Sequence, residues 1–569
     1  MIKAISIGKQ NYESLIKNNN FFVDKTYFIK EWWEAQDDVT LITRPRRFGK
    51  TLNMSMLNCF FSNKYKERSD LFEGLFIWSD EKYRKIQGTY PVIFLSFADV
   101  KQGNYLDAVQ KIKNIFVEMY SEFSYLENWD GLTENEKKQF ASISTGMSDV
   151  TAQDAVKNLS NYLSRYYGKN TIILLDEYDT PMQEAYVGGY WDEFTLFIRS
   201  LFNATFKTNP YLERAVMTGV TRVSKESIFS DLNNLKVVTS TSDSYATCFG
   251  FTEEEVFVAL DERELSLEKE KIREWYDGFT FGNCKNVYNP WSITNYLDEK
   301  KYKPYWADTS SNGLISKILQ KANTEIKQEM EQLLRGDTLE KILDEQIVFN
   351  QLDENEDAIW SLMLASGYLC VDSYHLDERT LQKICSLKLT NFETTLMFEK
   401  MVRGWFGSSS SNYNSFVKAL LKGDLEEMNH YMNKVALSTF SYFDVGGNSS
   451  EPERFYHGFV LGLLVEFREK YEICSNGESG LGRYDVMLIP RKENIATTPA
   501  IILEFKVHNP KKEKNMEETV ANALEQIKEK KYDMRLLEMG IEQESIRHYG
   551  FAFKGKEVLI GERSMELNK

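Results

Sequence analysis

The chain has 569 residues, of which 42% are hydrophobic and 27% are charged, and this composition excludes an intrinsically disordered protein. Its length exceeds that of one ordinary hydrophobic core, so we expect roughly three to four domains. The net charge of −16 disfavours a protein that binds nucleic acid over its whole surface, although it does not exclude local basic patches.

Several features of the sequence predict a soluble, cytoplasmic protein. No stretch approaches the roughly 18 apolar residues of a membrane span, and the opening residues lack the apolar region of a signal peptide. The six cysteines are scattered without a CxxC motif, which argues against a zinc cluster or a disulfide framework. We therefore expect no membrane partner.

The first chemical motif is RPRRFGKT, residues 44–51, which follows an apolar run and precedes apolar residues at helical spacing. A strand, a loop and a helix in this order form the context that a phosphate-binding loop requires. Gly49, Lys50 and Thr51 match the end of that pattern, in which lysine reaches phosphate oxygens and threonine binds Mg²⁺. Arg44 stands where the pattern has its first glycine. A second nucleotide motif is needed to distinguish this loop from a chance match.

The second motif is TIILLDEYDT, an aliphatic run that ends in Asp176 and Glu177. A continuous apolar run indicates a parallel strand buried on both faces, and acids at its carboxyl end lie where open α/β sheets bind ligands. We predict that Asp176 positions Mg²⁺ and that Glu177 polarises the attacking water. Further strands are predicted at 91–97 and 213–223, and the second of these carries Thr218 to the same site. Together the two motifs predict ATP as a ligand.

With these motifs, the amino-terminal region resembles the AAA-ATPase-like family, whose entry segment is similar to FFVDKTYFIKEWW at 21–33. The resemblance implies a P-loop ATPase with a parallel sheet, and RPRRFGKTL is the family's own form of the phosphate-binding loop. We predict that Arg46 and Arg47 contact phosphates and that Arg222 senses the γ-phosphate. Ordinary surface arginines remain the alternative at all three positions.

After residue 250 the sequence becomes helical and rich in charge, which predicts a helical lid domain, with a winged-helix arrangement as one form of it. A helix is expected to begin after Asn289, because Pro290 suits the first helical turn. The sequence WYDGF invites a catalytic interpretation of Tyr276 and Asp277. A turn with an aromatic plug is the favoured interpretation.

Near the carboxyl end, two apolar runs at 484–489 and 500–507 flank a polar turn and predict a β-hairpin. In an antiparallel pair, the residue numbers of facing positions add up to the same value along the ladder. With the turn centred between residues 493 and 495, this places Asp485 opposite Glu504. Because side chains alternate along a strand, Lys506 shares a face with Glu504. The residues expected in a core on the other face are Leu503, Phe505 and Val507.

Two carboxylates directly across a ladder repel each other, at a cost of the order of a fraction of a kcal/mol, so a purely structural hairpin has no use for them. A divalent cation resolves this conflict, because oxygen ligands suit Mg²⁺ and a neighbouring ammonium group can orient or activate a water. The hairpin therefore predicts phosphodiester cleavage with Mg²⁺ or Mn²⁺. A solvated face with a Glu–Lys pair is the alternative.

The sequences GRYD and EFK in this hairpin resemble the PD-(D/E)xK nuclease superfamily, in the form found at the carboxyl end of AAA-ATPase-like proteins. The resemblance implies that Asp485 and Glu504 are metal ligands and that Lys506 is the catalytic lysine. All three residues are present in this chain.

Two further segments also resemble this nuclease superfamily. EPERFYHGFVLGLLVEF resembles its first helix, and the resemblance implies that Glu453 is a further metal ligand. ALEQIKEKKY resembles a later helix of the superfamily, with Gln526 and Tyr532. His457 lies near Glu453, and a helix-packing role is favoured over a role as a base. A final hairpin is predicted around Lys554.

The predicted architecture is α/β and multidomain. An AAA-like P-loop ATPase domain at 1–250 is followed by the helical lid at 251–345, a mainly helical connecting domain at 346–450 and a PD-(D/E)xK nuclease-like domain at 451–569. The fold class expected for the last domain is α/β and restriction-endonuclease-like.

The preferred function is an ATP-binding and ATP-hydrolysing protein that controls a Mg²⁺-dependent nuclease domain. The expected partner is nucleic acid, with DNA preferred to RNA. Basic residues cluster at 44–47 and at 506–514, the second cluster beside the hairpin, and basic clusters are the usual phosphate contacts of nucleic-acid-binding proteins. A solvated loop is the favoured interpretation of KKEK in the second cluster. A homo-oligomer or a protein partner also remains open. The alternative function is a nucleotide-dependent binding or signalling ATPase whose nuclease-like domain is inactive and binds nucleic acid or protein.

Overall fold

The computed structural model describes residues 3–222, 229, 232–309, 315–316, 318–319, 322, 324–334, 336–343, 357–377, 382–405, 416, 418–439, 460, 470–475, 478–491, 498–555 and 557–562. The chain forms two compact units. The first unit comprises Met1–Ile315 and Gly336–Leu396, and the second comprises Ser316–Arg335 and Met397–Lys569. Among the described residues, no helix has both the length and the apolar character needed to cross a membrane.

A five-stranded parallel sheet forms the core of the amino-terminal part of the first unit. Its strands are β1 (Val39–Thr43), β2 (Val92–Ser96), β3 (Thr171–Asp176), β4 (Leu212–Gly219) and β5 (Leu235–Val238). Their spatial order is β2-β3-β4-β1-β5, so β4 lies between the strands that carry the two nucleotide motifs. Every residue of β1 and β3 is buried, as the continuous apolar runs predict. The carboxyl ends of β1, β3 and β4 therefore meet at one edge of the sheet.

Helices pack against this sheet, and apolar side chains of the helices between residues 12 and 86 share one core with the strands. Several begin at side-chain caps: the side chains of Asn104 and Ser148 accept hydrogen bonds from backbone N–H groups in the first turn of the helices that follow them. The helices are α1 (Tyr12–Lys17), α2 (Tyr27–Ala35), α3 (Lys50–Phe61), α4 (Glu81–Ile86), α5 (Tyr105–Glu122), α6 (Glu134–Ala141), α7 (Asp149–Tyr167), α8 (Thr180–Gly188) and α9 (Trp191–Phe202).

The rest of the first unit contains two small antiparallel sheets that the sequence alone does not predict. The first has the order β6-β8-β7 and the second β10-β11-β9. The strands are β6 (Phe251–Thr252), β7 (Phe279–Phe281), β8 (Cys284–Tyr288), β9 (Leu339–Ile342), β10 (Leu369–Leu376) and β11 (Lys383–Leu389). The division of this region into a lid and a connecting domain stays a prediction.

The same stretch of sequence also contains helices. They are α10 (Glu253–Asp261), α11 (Lys269–Tyr276), α12 (Pro290–Glu299), α13 (Tyr305–Thr309), α14 (Thr324–Leu334, in the second unit), α15 (Ala358–Ala365) and α16 (Phe392–Trp405). The predicted start of α12 is confirmed, since Asn289 caps it and Pro290 is its first residue. Tyr276 is buried and donates its hydroxyl to the carbonyl of Lys303, which matches the aromatic-plug interpretation.

The second unit is built on a five-stranded mixed sheet of order β12-β15-β16-β17-β18. Only the β16 and β17 pair is parallel. The strands of the unit are β12 (Tyr471–Ser475), β13 (Glu478–Ser479), β14 (Gly482–Arg483), β15 (Val486–Pro490), β16 (Ala500–Val507), β17 (Ile546–Lys554) and β18 (Glu557–Glu562). The predicted hairpins of β15 with β16 and of β17 with β18 are both confirmed.

The two faces of this sheet bear different elements. The described helices of the region are α17 (Leu425–Thr439), α18 (Met516–Glu529) and α19 (Met534–Glu538). Helix α17 packs on one face with Leu503 and Phe505, and α18 packs on the other face with Ile502. Because β16 and β17 are parallel, the chain must cross over between them, and α18 lies in that crossover. Glu504 and Lys506 lie on the face that α18 covers.

Candidate functional site

The loop between β1 and α3 folds around the side chain of its own lysine. Lys50 is the first residue of α3, and its Nζ donates hydrogen bonds of 2.8 Å to the carbonyl oxygens of Arg44 and Pro45. Gly49, with φ of +81°, and Arg47, with φ of +67°, supply the left-handed conformations that turn the chain into the helix. Two of the three ammonium donors of Lys50 thus fix the loop. The third donor suits an anion held at the start of α3.

Acidic side chains surround Lys50, which is itself buried. Burial lowers the pKa of Lys50, and the carboxylates of Glu177, Asp179 and Asp176 oppose this shift by favouring the charged ammonium. The hydrogen bonds of Lys50 Nζ to two carbonyls and the nearby carboxylates favour the ammonium form, and in a setting of low dielectric its attraction to phosphate is stronger than at the surface.

Asp176 joins the two nucleotide motifs. Its Oδ2 accepts a hydrogen bond of 2.7 Å from Thr51 Oγ1, and its Oδ1 accepts one from Thr218 Oγ1. Burial raises the pKa of Asp176, while the hydrogen bonds from Thr218 and Thr51 lower it. These hydroxyl and carboxylate oxygens are the donor types that Mg²⁺ prefers, so the residues present fit the ion implied by the motifs.

Glu177 follows β3 in a left-handed conformation, with φ of +52°, which is unusual for a residue other than glycine. Such backbone conformations are often found at functional sites. Its Oε2 accepts a hydrogen bond of 3.1 Å from Thr180 Oγ1, so the carboxylate is oriented by the start of α8. The structure thus places Glu177 directly beside Asp176, while its role with water stays a prediction.

Sequence reasoning missed Asp179, which orders the chain after β4. Its Oδ2 accepts hydrogen bonds from the backbone N–H groups of Val220, at 2.9 Å, and Thr221, at 2.7 Å. Burial raises the pKa of Asp179, and the hydrogen bonds from Thr221 oppose this shift. Asp179 is visible in the sequence as the second aspartate of DEYD. Its hydrogen-bond partners, Val220 and Thr221, lie about forty residues later, so no local pattern links them to it.

The arginines of the loop have different surroundings. Arg44 is fully buried, donates to the carbonyls of Thr43 and Thr239 at 2.9 Å, and lies 4.4 Å from the centre of the Phe281 ring. Position 44 is therefore structural. The guanidinium of Arg47 lies 4.2 Å from the centre of the Trp291 ring.

Arg222 lines a small pocket, together with Thr43 and residues 239–241. Lys50 and Asp176 are not among its described lining residues. The phosphate contacts predicted for Arg46, Arg47 and Arg222 stay predictions.

In the second unit, the predicted register of the hairpin is confirmed. Val486 pairs with Leu503 and Met487 with Ile502, so the same register, extended by one residue, sets Asp485 opposite Glu504. The backbone N–H of Phe505 donates a hydrogen bond of 2.8 Å to Asp485 Oδ2, which holds that carboxylate against β16.

Gln526 of α18 connects the charged side chains of β16. Its Nε2 donates to Glu504 Oε1, and its Oε1 accepts a hydrogen bond of 2.7 Å from Lys506 Nζ. The same Nε2 lies 3.2 Å from the hydroxyl oxygen of Tyr532, which in turn donates to the carbonyl of Arg483 at 2.6 Å. The amide of Gln526 thus fixes both Glu504 and Lys506. Within the part of the chain that the structure describes, all the nuclease-site residues identified from the sequence lie together.

Negative charge is concentrated around Tyr532. Burial raises the pKa of its hydroxyl, and the nearby carboxylates of Glu504 and Asp485 raise it further, so the phenol stays a neutral donor. Asp485 and Glu504 offer only oxygen ligands, which fit Mg²⁺ or Mn²⁺. Within the described ranges, no group of three or more His, Cys, Asp or Glu side chains forms a metal site. Glu453 and His457 lie outside the described residues.

Comparisons with known proteins match both parts of the chain. A family model described as a predicted AAA-ATPase matches residues 6–229, and a model of the PD-(D/E)XK nuclease superfamily matches residues 451–563. An uncharacterized protein in the vnfD 5′ region of Azotobacter chroococcum mcd 1 is 24% identical over 373 residues, which cover 65% of this chain and 64% of that relative. The chain thus spans less than two thirds of the relative's length. Residues 6–229 are thus similar to the predicted AAA-ATPase family and residues 451–563 to the PD-(D/E)XK nuclease superfamily, in agreement with the fold and motifs of each part.

Proposed function

We propose that the protein binds and hydrolyses ATP and that its nucleotide state controls a Mg²⁺-dependent nuclease domain that cleaves phosphodiester bonds. The observation that carries the nuclease proposal is the arrangement of Asp485, Glu504, Lys506 and Gln526, in which one amide bonds to both the acid and the lysine. A solvated face of a hairpin does not need this arrangement, because exposed Glu and Lys side chains are satisfied by water.

At the nucleotide site, Lys50 binds the phosphates and Thr51 and Asp176 hold Mg²⁺, which neutralises phosphate charge when it is bound. Glu177 orients and polarises the water that attacks the terminal phosphate. Thr218, which donates to Asp176, keeps that carboxylate in place beside Thr51. Arg46, Arg47 and Arg222 are proposed as further phosphate contacts.

At the nuclease site, Asp485 and Glu504 hold a divalent cation, and we assign Glu453 to the same ion. The cation, Mg²⁺ or Mn²⁺, supplies positive charge to the scissile phosphate when bound. Lys506 orients the attacking water and stabilises the negative charge that develops on phosphate oxygens. Gln526 holds both the Lys506 ammonium and the Glu504 carboxylate through hydrogen bonds.

The test is a cleavage screen with the full chain on double-stranded and single-stranded DNA and RNA. We expect cleavage with Mg²⁺ or Mn²⁺, none with EDTA, and a rate that changes when ATP is added. We propose DNA as the preferred substrate, and cutting of RNA alone would contradict that choice. Absence of cleavage on every substrate in both metals would overturn the nuclease proposal.

One observation favours the second candidate function, a nucleotide-dependent binding or signalling ATPase with an inactive nuclease-like domain. Glu504 is only 2% exposed and accepts a hydrogen bond from Gln526, so a protein group already satisfies one oxygen of this carboxylate. This function predicts nucleic-acid or protein binding without cleavage in the same screen. A homo-oligomer or protein partner, and a cytoplasmic location, belong to the proposal in either case.

The loop after β16 supports a nucleic-acid partner, because its lysines are exposed to solvent whereas the carboxylate of Glu513 is bonded within the fold. Glu513 accepts hydrogen bonds from Asn509 N, at 3.0 Å, Thr519 Oγ1, at 2.7 Å, and Asn522 Nδ2, at 2.8 Å. Burial raises the pKa of Glu513, but these three hydrogen bonds outweigh it and hold the pKa below its usual range. The exposed residues of this loop include Lys511, Lys512 and Lys514.

Replacing all three lysines by glutamine is expected to weaken nucleic-acid binding and to flatten its salt dependence. Each phosphate contact contributes about −0.9 to the slope of log K against log salt on duplex DNA, so loss of three contacts changes the slope by up to about 3. Binding of labelled duplex by fluorescence anisotropy at several salt concentrations measures this slope.

The matched control replaces Lys418, Lys422 and Lys434, which are also exposed and precede or lie on α17, on the other face of the sheet. Its salt slope should equal that of the wild-type protein. An equal slope in the loop variant would remove these lysines from the nucleic-acid interface.

A further inference from the structure

The phosphate-binding loop packs against a layer of residues that follow it in the chain by more than two hundred positions. This layer consists of Phe279, Phe281, Asn289, Trp306 and Gly367. The carbonyl oxygen of Arg46 accepts two hydrogen bonds, one of 3.1 Å from Trp306 Nε1 and one of 3.3 Å from Asn289 Nδ2. We infer that Trp306 and Asn289 are positioning residues for this loop, an inference that rests on the nucleotide binding proposed above.

Trp306 is anchored firmly enough to position a backbone carbonyl. It is 1% exposed, and its ring packs against Phe279 and Tyr368, with ring centres 5.6 and 5.4 Å away. Its backbone N–H donates a hydrogen bond of 2.6 Å to Oε1 of Glu393, which is fully buried. The same carboxylate also accepts a hydrogen bond from Ser292 Oγ. The buried carboxylate thus ties Trp306 to α12, so the indole has one fixed direction.

Asn289 uses its two amide atoms for two different tasks. Its Oδ1 accepts a hydrogen bond of 2.9 Å from Trp291 N and so caps α12, while its Nδ2 donates to the loop. The residue is 1% exposed. The start of α12 and the phosphate-binding loop therefore share one side chain.

The neighbouring loop residues contact the same layer. Phe48 packs against Phe279 and Phe281, with ring centres 4.7 and 5.4 Å away. Gly367, with φ of +85°, approaches so closely that a Cβ there would lie 2.7 Å from the Cγ atom of Pro45. Contacts with this layer therefore extend along the loop from Pro45 to Phe48.

These contacts decide where the loop's amides point. Lys50 engages the carbonyls of Arg44 and Pro45, and Trp306 with Asn289 engages that of Arg46. Successive N–H groups form an anion-binding concavity only if the intervening peptide groups keep one orientation. Since Arg44 replaces the first glycine of the usual pattern, the external hydrogen bonds supply an order that a glycine-rich loop obtains by its own turn geometry.

The test compares Trp306→Phe with Trp360→Phe by calorimetric titration of the full chain with MgATP. Trp306→Phe keeps the aromatic packing and removes the N–H donor. Trp360 is also fully buried, but its Nε1 has no hydrogen-bond partner among the described residues, so the same substitution there removes no bond. We expect affinity to fall about three- to tenfold in Trp306→Phe, the factor expected for one hydrogen bond, and to be unchanged in Trp360→Phe.

Asn289→Asp tests the second donor to the Arg46 carbonyl. Aspartate keeps the acceptor that caps α12, but it cannot donate to Arg46. We expect weaker MgATP binding and a raised KM with kcat preserved, because Glu177 and Thr218 lie on other elements. Since the new carboxylate is buried, the melting temperature without nucleotide should fall, and binding is measured at a temperature at which the variant is fully folded. Wild-type affinity in both Asn289→Asp and Trp306→Phe would overturn this inference alone. A wild-type protein that binds no nucleotide would overturn the proposed function and this inference with it.

Discussion

Glu504→Gln is expected to lower metal-dependent cleavage by at least about a hundredfold, because the loss of a charged metal ligand costs several kcal/mol of transition-state stabilisation. The substitution keeps the size of the side chain and leaves an oxygen that can accept the hydrogen bond from Gln526. It also removes a carboxylate that is only 2% exposed, so the melting temperature should not fall. Loss of cleavage would then be a loss of chemistry and not of fold.

Initial cleavage rates of the full chain, measured with Mg²⁺ and separately with Mn²⁺, check this result. Glu472→Gln is the matched control, since Glu472 is an exposed acid on β12 in the same sheet. It should cleave at the wild-type rate. Equal rates for Glu504→Gln and the control would mean that cleavage occurs elsewhere or comes from a contaminating nuclease.

The register at the nuclease site could be predicted because a hairpin obeys two simple periodicities. Side chains alternate between the two faces of a strand, and the residue numbers of facing positions add up to a constant. Once the position of the polar turn is known, Asp485 must therefore face Glu504. The observed pair of Val486 with Leu503 has the same sum. Likewise, the buried strands β1 and β3 are recognisable because a parallel strand covered on both faces has a continuous apolar sequence.

The environment of the phosphate-binding loop could not be predicted in the same way. The sequence suggested that Arg46 and Arg47 contact phosphates, but it contains no periodic signal that places Trp291 beside Arg47 or Trp306 beside the Arg46 carbonyl. These contacts depend on the small sheets of the first unit, whose short strands lack a long alternating pattern. Local sequence identifies the chemistry of a loop, whereas the long-range packing that orders it becomes visible only in the folded chain.

Lys50→Met is expected to abolish the thermal stabilisation of the first unit by MgATP. A ligand at about 100 times its Kd stabilises the protein that binds it by about 2.7 kcal/mol, and this gain disappears when the phosphate contact is lost. Methionine keeps the apolar stem of a side chain that is 6% exposed, although it loses the hydrogen bonds to the carbonyls of Arg44 and Pro45. The measurement is the shift in melting temperature on addition of MgATP, each variant being compared with its own nucleotide-free state.

Lys85→Met provides the matched control, because Lys85 is 73% exposed and pairs with Glu81 within α4. It should retain the full shift, and an equal shift in Lys50→Met would place the nucleotide elsewhere.

Glu504→Gln and Lys50→Met together also test the proposed control of the nuclease by ATP. Glu504→Gln should keep its stabilisation by MgATP while losing cleavage, and Lys50→Met should keep metal-dependent cleavage that no longer responds to ATP. If cleavage by Lys50→Met still responds to ATP as in the wild-type protein, the ATP effect does not pass through this loop.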